Sequence, residues 1–277
     1  MLYAAKAMRR HAIYAICFLI LFAVFTAPCS AADDGSFAVI GDTRVGKTDA
    51  TYTSFIKQVE KDGIQTVIHV GDAIDRPGIE EQWEKFLKIT GTKVTLHMAP
   101  GNHDVNSRRS LATYTKIVGK EPFYSVSRGD TLFIFLNSEL PEQEGKITGQ
   151  QFDWVEKELA RDFTYKFVFL HRPVFPSPIG TGYDLDRYPA DRNRLHQLFV
   201  KDGVALVMAG HEHLYNRSEK NGIVYVITGG GGAPLHTFLQ DYGGFLHYIV
   251  AKKRNEGYFF RVVDLKGNTR DEFSVKK

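Results

Sequence analysis

Cysteine is nearly absent from this sequence. Among its 277 residues only Cys17 and Cys29 are cysteines, and both lie within the first 30 positions. Disulfides therefore cannot stabilise the rest of the chain, so its stability has to come from an ordinary hydrophobic core. Thiolate catalysis and a cysteine-ligated zinc site are excluded from residues 32–277 for the same reason.

The sequence also lacks a strong charge of either sign. It has 35 basic and 32 acidic residues, and leaving out Lys6, Arg9 and Arg10 near the amino terminus gives 32 of each. A chain close to neutrality has no general electrostatic attraction for nucleic acid or for an anionic membrane. We therefore expect no nucleic-acid polymer among its partners.

The amino-terminal segment has the pattern of a secretory signal peptide. Basic residues precede an apolar run over residues 12–25, and small residues follow it up to Ala32. The run is shorter than the roughly 20 residues that span a bilayer, which favours cleavage over a permanent anchor. We expect a signal peptide over residues 1–31, one domain over residues 32–277, and an exported protein, periplasmic or secreted. If the segment stays uncleaved, it would anchor the protein in a membrane.

Short β-branched and aromatic runs alternate with amphipathic stretches along most of the remaining chain. We predict strands over residues 36–40, 66–70, 93–98, 131–136, 165–170, 204–208, 223–227, 245–251 and 257–264. We predict helices over residues 52–61, 80–87, 110–118, 150–160 and 192–200. Strands alternating with helices indicate an α/β protein, and the strand-only stretch at the end indicates two packed sheets.

Polar side chains follow five of the predicted strands where each strand ends. Functional loops in such sheets lie beyond the carboxyl ends of the strands, so we expect these side chains to gather at one rim. Taken singly, a Gly-Asp pair is more often a turn or a helix cap, and a lone histidine is more often structural. Their joint occurrence at the ends of five strands favours a functional site. The residues are Asp42, Asp72, Asp75, Arg76, Asn102, His103, Asp104, His171, His211 and His213.

The chemistry of these side chains suits a transition-metal site. Carboxylate, amide oxygen and neutral imidazole are ligands of Mn, Fe, Zn or Co. The alternation of His211 and His213 lets two ligands two residues apart reach two different ions. A glycine precedes Asp42, Asp72, Asn102 and His211, and we expect it to allow the sharp turn that presents the next side chain.

The ordered set GD, GDxxDR, GNHD, H and GHxH resembles the calcineurin-like metallophosphoesterase superfamily, which includes purple acid phosphatases and Ser/Thr phosphoprotein phosphatases. The resemblance runs from about Phe37 to Gly232. It implies a four-layer αββα fold, with two packed mixed sheets flanked by helices. It also implies two divalent or trivalent ions of Fe, Mn or Zn. The implied reaction is hydrolysis of a phosphate mono- or diester by attack of a metal-bridged hydroxide, on a small-molecule phosphoester or a phosphoprotein.

The resemblance further implies a role for each matching residue. His103 would face the leaving group, oriented by Asp75 or Asp104, and Arg76 would contact a phosphate oxygen. Asn102 would lie beside the substrate as well as on a metal. The implied ligands are Asp72 bridging both ions, Asp42 and His213 on the first ion, and Asn102, His171 and His211 on the second.

Arg44 departs from the family pattern, which commonly has histidine at that position. The first metal would then have one protein ligand fewer, with water or Asp75 in its place, or Arg44 would contact the substrate phosphate. This departure leaves an alternative function open. The chain would then be a catalytically weak phosphate-ligand binder or scaffold that retains the fold.

Residues 41–48 formally match the P-loop pattern GxxxxGK[ST] after a strand. A P-loop would hold nucleotide phosphates on its backbone amides, with Lys47 at their outer end. That interpretation leaves the four histidines at positions 103, 171, 211 and 213 without a role. No guanine-specifying Asn-Lys-x-Asp segment follows either. We therefore favour the metal site.

Several other features allow both a functional and a structural interpretation. The long stretch over residues 173–189 is either a substrate rim, with Tyr183 or Tyr188 at the leaving group, or a plain surface loop. The glycines at 229–232 form either an anion-binding nest or, as we favour, a tight turn. His69 and His97 are predicted as core residues, and His236 is assigned no role.

Overall fold

A computed structural model of the chain describes residues 35–276. The predicted signal peptide at residues 1–31 lies outside this range. No helix within the range is both long enough and apolar enough to cross a membrane.

Twelve strands and five α-helices follow one another along the described chain. In order they are β1 (Phe37–Ile40), α1 (Asp49–Lys61), β2 (Thr66–His69), α2 (Glu80–Thr90), β3 (Thr95–Met98), α3 (Arg108–Val118), β4 (Tyr124–Arg128), β5 (Thr131–Phe135), α4 (Gly149–Leu159), β6 (Tyr165–Phe169), α5 (Pro189–Lys201), β7 (Leu206–Ala209), β8 (Tyr215–Lys220), β9 (Ile223–Thr228), β10 (His247–Arg254), β11 (Gly257–Asp264) and β12 (Thr269–Lys276). Short 3-10 turns occur at Leu185–Arg187 and Gln240–Tyr242.

The strands form two six-stranded mixed sheets. The first has the order β12-β11-β10-β1-β2-β3, and the second has the order β4-β5-β6-β7-β9-β8. The strands that precede the polar loops run parallel to one another within each sheet: β1, β2 and β3 in the first, and β6 and β7 in the second. Their carboxyl ends therefore meet at the same rim of each sheet. In this register Ala38 lies opposite Val67 on one side and Val250 on the other.

The alternation of side chains along β1 explains why four layers form. Ala38 and Ile40 belong to a buried cluster with side chains of α1, α2 and α3. Phe37 and Val39 belong to a second cluster, which is rich in phenylalanine and fills the space between the two sheets. A third cluster joins the second sheet to α4 and α5. Successive side chains of a strand point to opposite faces, so each sheet has two buried faces. The predicted αββα architecture is confirmed.

Three strands were missed by the sequence patterns: β4, β8 and β12. All three lie at sheet edges, and much of their length is exposed or half-buried. An edge strand has one side open to solvent, so it needs no continuous apolar run and its sequence reads as polar. Its strand conformation is decided by the neighbour with which it pairs.

Candidate metal centre

Loops from both sheets meet at the shared rim. The backbone N–H of His211 donates to the Asp42 carboxylate, at 3.2 Å from Oδ1 and 3.1 Å from Oδ2. The His171 ring donates from Nδ1 to the backbone carbonyl of Val70 at 2.9 Å. These contacts join residues 169 and 101 positions apart. The convergence predicted from the strand ends is therefore observed for the loops after β1, β2, β3, β6 and β7.

The backbone of these loops is strained at the site. In the described part of the chain six residues other than glycine have a positive φ, and four of them are Asp42, Arg44, Asp72 and His211, at 60°, 50°, 56° and 70°. Such conformations cost roughly 1–3 kcal/mol each and persist only where surrounding contacts hold them. The strain therefore falls on residues that present side chains to the rim.

Most of the preceding glycines supply space rather than a turn. A Cβ atom on Gly101 would lie 2.3 Å from the amide nitrogen of Asp72, and one on Gly210 would lie 2.4 Å from the Asp42 carboxylate. Neither glycine has a positive φ. The expected turn-forming role holds for Gly71, at φ 93°. The other glycines allow loops from different strands to approach more closely than any side chain would permit.

Four potential ligand atoms point at one another around Asn102. Its Oδ1 lies 3.1 Å from His171 Nε2 and 3.0 Å from His211 Nδ1, and the two ring nitrogens are 3.3 Å apart. Asp72 Oδ1 is 3.3 Å from His171 Nε2. Because His171 donates from Nδ1 to Val70, its Nε2 carries a lone pair in the neutral ring. Burial lowers the pKa of both histidines. A ring of lone pairs on neutral imidazole, amide and carboxylate is suited to a cation.

A second group of ligand atoms also includes Asp72. Asp42, Asp72 and His213 each offer one atom within 4.8 Å of the others. His213 donates from Nδ1 to the carbonyl of Pro234 at 2.7 Å, which leaves Nε2 facing Asp42 Oδ1 at 3.4 Å. Burial raises the pKa of Asp42 to about 7, against the lowering effect of His213. Asp72 thus belongs to both groups, as a bridging ligand must.

Arg44 points towards this second group. Its Nη2 donates to Asp75 Oδ1 at 2.9 Å, and its Nη1 lies 3.9 Å from Asp72 Oδ2. The Asp75 carboxylate could otherwise replace the ligand that the first metal lacks, but it is already paired with the Arg44 guanidinium. Arg76 lies apart, with a side chain that is 77% exposed and whose Nε is 3.8 Å from Asp75 Oδ2. The structure does not bring Arg76 to the ligand atoms.

His103 is held by the backbone of a neighbouring loop. Its Nδ1 lies 2.8 Å from the carbonyl oxygen of Asp75, and its Nε2 lies 3.9 Å from Asp72 Oδ2. Of the two residues expected to orient His103, Asp75 does so, through its carbonyl rather than its carboxylate. Asp104 is instead buried and accepts from the amides of Ala73, Ile74 and Gly101, so its role is to fasten two loops together.

An open cleft of about 220 Å³ exposes the site. Residues predicted for the site and found on the cleft wall are Arg44, Asp72, Asn102, His103, His211 and His213. Thr181, Tyr183 and His236 also line it. Tyr183 and Thr181 fit the substrate-rim interpretation of residues 173–189, and Tyr188 does not line the cleft. Sequence patterns alone do not indicate His236, because it lies outside the motifs.

Buried carboxylates lie behind His211. Its Nε2 is 4.0 Å from Asp184 Oδ1, and neither atom has a hydrogen-bond partner among residues 35–276. A small approach of the ring would let Nε2 donate to Asp184, which would fix the tautomer that exposes Nδ1. Glu212 accepts from the backbone amide of Ser177 at 3.1 Å, and burial raises the pKa of Glu212 to about 7. Sequence reasoning missed both partners, because Asp184 lies outside the motifs and Glu212 occupies the variable position of GHxH.

The P-loop interpretation fails on the backbone of residues 41–48. The amides of residues 42, 44 and 45 donate to carbonyls of the loop after β2, and those of residues 47 and 48 donate to the carbonyl of Arg44. The Gly46 amide donates to Asp49 Oδ1. Lys47 is exposed. Because six of its eight amides are already paired, the loop does not form a phosphate cradle.

The four glycines at 229–232 allow a close approach of backbone to backbone. A Cβ on Gly229 would lie 2.2 Å from the carbonyl oxygen of Glu212, and one on Gly231 would lie 2.1 Å from that of Gly41. The run therefore packs its backbone directly against the ligand loops. The Ala233 amide, which follows the run, donates to the carbonyl of Asp42 at 2.9 Å.

Comparisons with known proteins give a family match and several individual relatives. A model of the calcineurin-like phosphoesterase family matches residues 35–215. Purple acid phosphatase 5 of Arabidopsis thaliana is 25% identical over 210 residues, which cover 72% of this chain and 49% of that protein. The phosphoenolpyruvate phosphatase of Allium cepa is 28% identical over 227 residues, covering 72% and 45%. The chain thus spans about half the length of these curated relatives.

A solved structure shares the fold. The purple acid phosphatase PPD1 from seeds of yellow lupin (Lupinus luteus) superposes with a TM-score of 0.72 at 19% identity, over 87% of this chain and 53% of that one. Likeness at this identity concerns the fold.

Proposed function

Since the chain belongs to the calcineurin-like phosphoesterase family, we propose that it hydrolyses phosphate esters with two metal ions held on either side of Asp72. The observation that carries this proposal is the membership of Asp72 in both groups of ligand atoms. A carboxylate between two such groups has little purpose in a site for one ion. The curated relatives matched above are phosphatases by name, which supports the same reaction class.

The side chains around Asp72 fit the proposed ions. His171, His211 and Asn102 would hold one ion, and Asp42 and His213 the other. When bound, such ions would supply an acidified water and positive charge beside the phosphate oxygens. The ligand set has carboxylate, amide and imidazole but no thiolate, which suits Fe, Mn or Zn.

The chain's own residues would bind the ester and supply the proton for its leaving group. Arg44, on the cleft wall, would add positive charge beside the phosphate. His103 donates from Nδ1 to the Asp75 carbonyl, so Nε2 carries a proton only in the imidazolium form of the ring. In that form Nε2 would give its proton to the leaving oxygen, and the neutral ring would keep its proton on Nδ1. Arg76 remains a prediction for substrate contact, and from its exposed position it would reach only the outer part of a substrate.

We expect the substrate to be a small-molecule phosphoester or a phosphoprotein. The cleft is shallow and open, and Tyr183 and Thr181 on its wall belong to a loop outside the motifs. Such loops set selectivity in enzymes that share one fold. Export to the periplasm or to the cell exterior follows from the proposed signal peptide, and it would place hydrolysis outside the cytoplasm.

Wild-type protein reconstituted separately with Mn, Fe and Zn is expected to bind about two ions per chain and to hydrolyse nitrophenyl phosphate esters. The measurements are elemental analysis of the purified protein and turnover of the mono- and bis-nitrophenyl esters. Removal of the ions with a chelator should abolish turnover, since the described site offers no other electrophile of comparable strength. Turnover that survives complete metal removal would refute the proposal.

Replacement of His103 by alanine is expected to affect poor leaving groups selectively. Loss of a general acid costs roughly 10²–10⁴-fold in rate, and an alkyl phosphate needs the proton while a nitrophenyl phosphate scarcely does. We expect a loss in that range of kcat/KM on the alkyl ester and less than about tenfold on the nitrophenyl ester. The two esters are measured with the same variant, so a general loss of folded enzyme would lower both rates alike and the ratio of the two losses controls for it. Equal losses on both esters would show that His103 is not the general acid.

A second candidate function is favoured by Arg44 alone. Its ion pair with Asp75 and its approach to Asp72 place positive charge beside the group of Asp42 and His213. Such a positive charge would weaken the binding of a cation by Asp42 and His213. The chain would then be a weak phosphate-ligand binder or scaffold. Elemental analysis and the turnover assay separate the two functions, because a scaffold would hold little metal and give no turnover.

A further inference from the structure

The segment from Pro234 to His236 is fastened to His213 by three hydrogen bonds. His213 donates from Nδ1 to the Pro234 carbonyl at 2.7 Å. The backbone amide of His236 donates to the His213 carbonyl at 3.1 Å. The backbone amide of His213 donates in return to Nδ1 of His236 at 3.2 Å. The two rings lie against each other, with centroids 4.3 Å apart and planes inclined by 33°.

This arrangement fixes the tautomer of His236. A backbone N–H can only donate, so Nδ1 of His236 must be the accepting atom and must lack a proton. The ring proton therefore lies on Nε2. Residues 35–276 provide no hydrogen-bond acceptor for this Nε2, and His236 is an exposed residue. It is an N–H donor that remains open to solvent.

The donor lies on the wall of the metal cleft. His236 lines the cleft together with His213, Arg44 and His103. Its position against the ring of His213 places it on the side of the group formed by Asp42, Asp72 and His213. The other new wall residues, Thr181 and Tyr183, belong to the loop that follows β6. An anion in the cleft would therefore meet a neutral N–H donor as well as the Arg44 guanidinium.

We propose that His236 is a substrate-binding residue that donates from Nε2 to an oxygen of the phosphate group. The inference rests on the proposed function, because it takes a phosphate ester as the occupant of the cleft. The hydrogen bonds to His213 give His236 a fixed direction, so little side-chain entropy is lost when the bond to phosphate forms. The same bonds make His236 part of the support of a ligand, and the test has to separate the two roles.

Two substitutions separate substrate binding from support. His236→Asn keeps an oxygen near the position of Nδ1, to accept from the His213 amide, but it lacks the distal N–H. His236→Gln can place an N–H near the position of Nε2. Full-length exported protein loaded with metal is used throughout, with inorganic phosphate as the probe in calorimetry and nitrophenyl phosphate for kinetics. Thr237→Ala is the control, since within residues 35–276 that neighbouring hydroxyl accepts only from the Leu239 amide.

We expect His236→Asn to weaken phosphate binding and raise KM by about 10- to 100-fold, the effect of losing a hydrogen bond to a charged group. Bound metal per chain should not change. His236→Gln should stay within a few-fold of wild type, as should Thr237→Ala. The different behaviour of the Asn and Gln variants is the signature of donation to substrate.

Equal phosphate affinity in wild type and His236→Asn would overturn the proposal. Loss of metal in both variants would also overturn it, because His236 would then act only as a support of His213. Calorimetry with phosphate does not require turnover. A wild-type protein without activity would therefore refute the proposed function, while the phosphate affinities would still decide the role of His236.

Discussion

Replacement of Asp72 by asparagine is expected to lower hydrolysis by about three orders of magnitude or more. Asparagine has the same size but no charge, and its neutral amide cannot bridge two cations. Losing a shared ligand removes several kcal/mol of charge stabilisation in the transition state, and each 1.36 kcal/mol corresponds to a tenfold change in rate. The measurements are kcat/KM on nitrophenyl phosphate and bound metal per chain, both of which should fall.

The position of Asp72 explains why this effect should exceed that of any other single ligand. Its side chain is 2% exposed, its Oδ1 accepts from the His103 amide at 2.8 Å, and it lies in both groups of ligand atoms. The control is Asp153→Asn, which removes an exposed carboxylate on α4 and should leave activity and metal content unchanged. If the Asp72 variant still hydrolysed the ester at the wild-type rate, the two-metal proposal would be wrong.

Replacement of Arg172 by methionine is expected to destabilise the fold by about 3–5 kcal/mol, because it leaves a buried charge without its partner. Arg172 directly follows His171. Its Nε donates to Glu139 Oε1 at 2.7 Å and its Nη2 donates to Oε2 at 2.6 Å. Glu139 is 1% exposed. The change in unfolding free energy is to be measured by urea denaturation at pH 7.

A double variant and a pH series test this explanation. Substituting Glu139→Leu together with Arg172→Met removes both charges and should restore most of the stability. Burial already raises the pKa of Glu139, although Arg172 lowers it in part. In the single variant that pKa should rise further. A carboxyl group with a raised pKa in the folded state favours folding when protonated, so the destabilisation should shrink as pH falls. A destabilisation that does not depend on pH would contradict this account.

The Arg172 pair also connects stability to the cleft. Its Nη1 donates to the carbonyl of Tyr183 at 2.5 Å, and Tyr183 lines the cleft. The following residue, Asp184, lies behind His211. A single half-buried arginine thus supports both the wall of the cleft and the residue behind a proposed ligand. Loss of Arg172 should therefore affect substrate selectivity in any variant that remains folded.

Much of the fold was predictable because its strands are buried on both faces. The segment Phe37–Ile40 consists only of apolar residues and is entirely buried, and segments of that kind were found as strands. The edge strand Tyr215–Lys220 contains the polar run YNRSEK and was missed. Its conformation comes from pairing with β9, a contact that no local pattern records.

The amino-acid sequence by itself determined which residues could form the candidate site. Asp42, Asp72, Asn102 and the histidines stand at strand ends, and parallel strands bring those ends to one rim. That outcome follows from the order of short-range patterns along the chain, so it could be inferred without coordinates.

Only the tertiary structure decided how those residues are held. The pairing of Arg44 with Asp75, the Arg172–Glu139 ion pair and the placement of His236 against His213 join segments that are distant in sequence. The close approach at Gly101 likewise exists only where two loops touch. Such contacts depend on the packing of one sheet edge against another, and residues that meet only through packing leave no spacing or composition by which the sequence could reveal them.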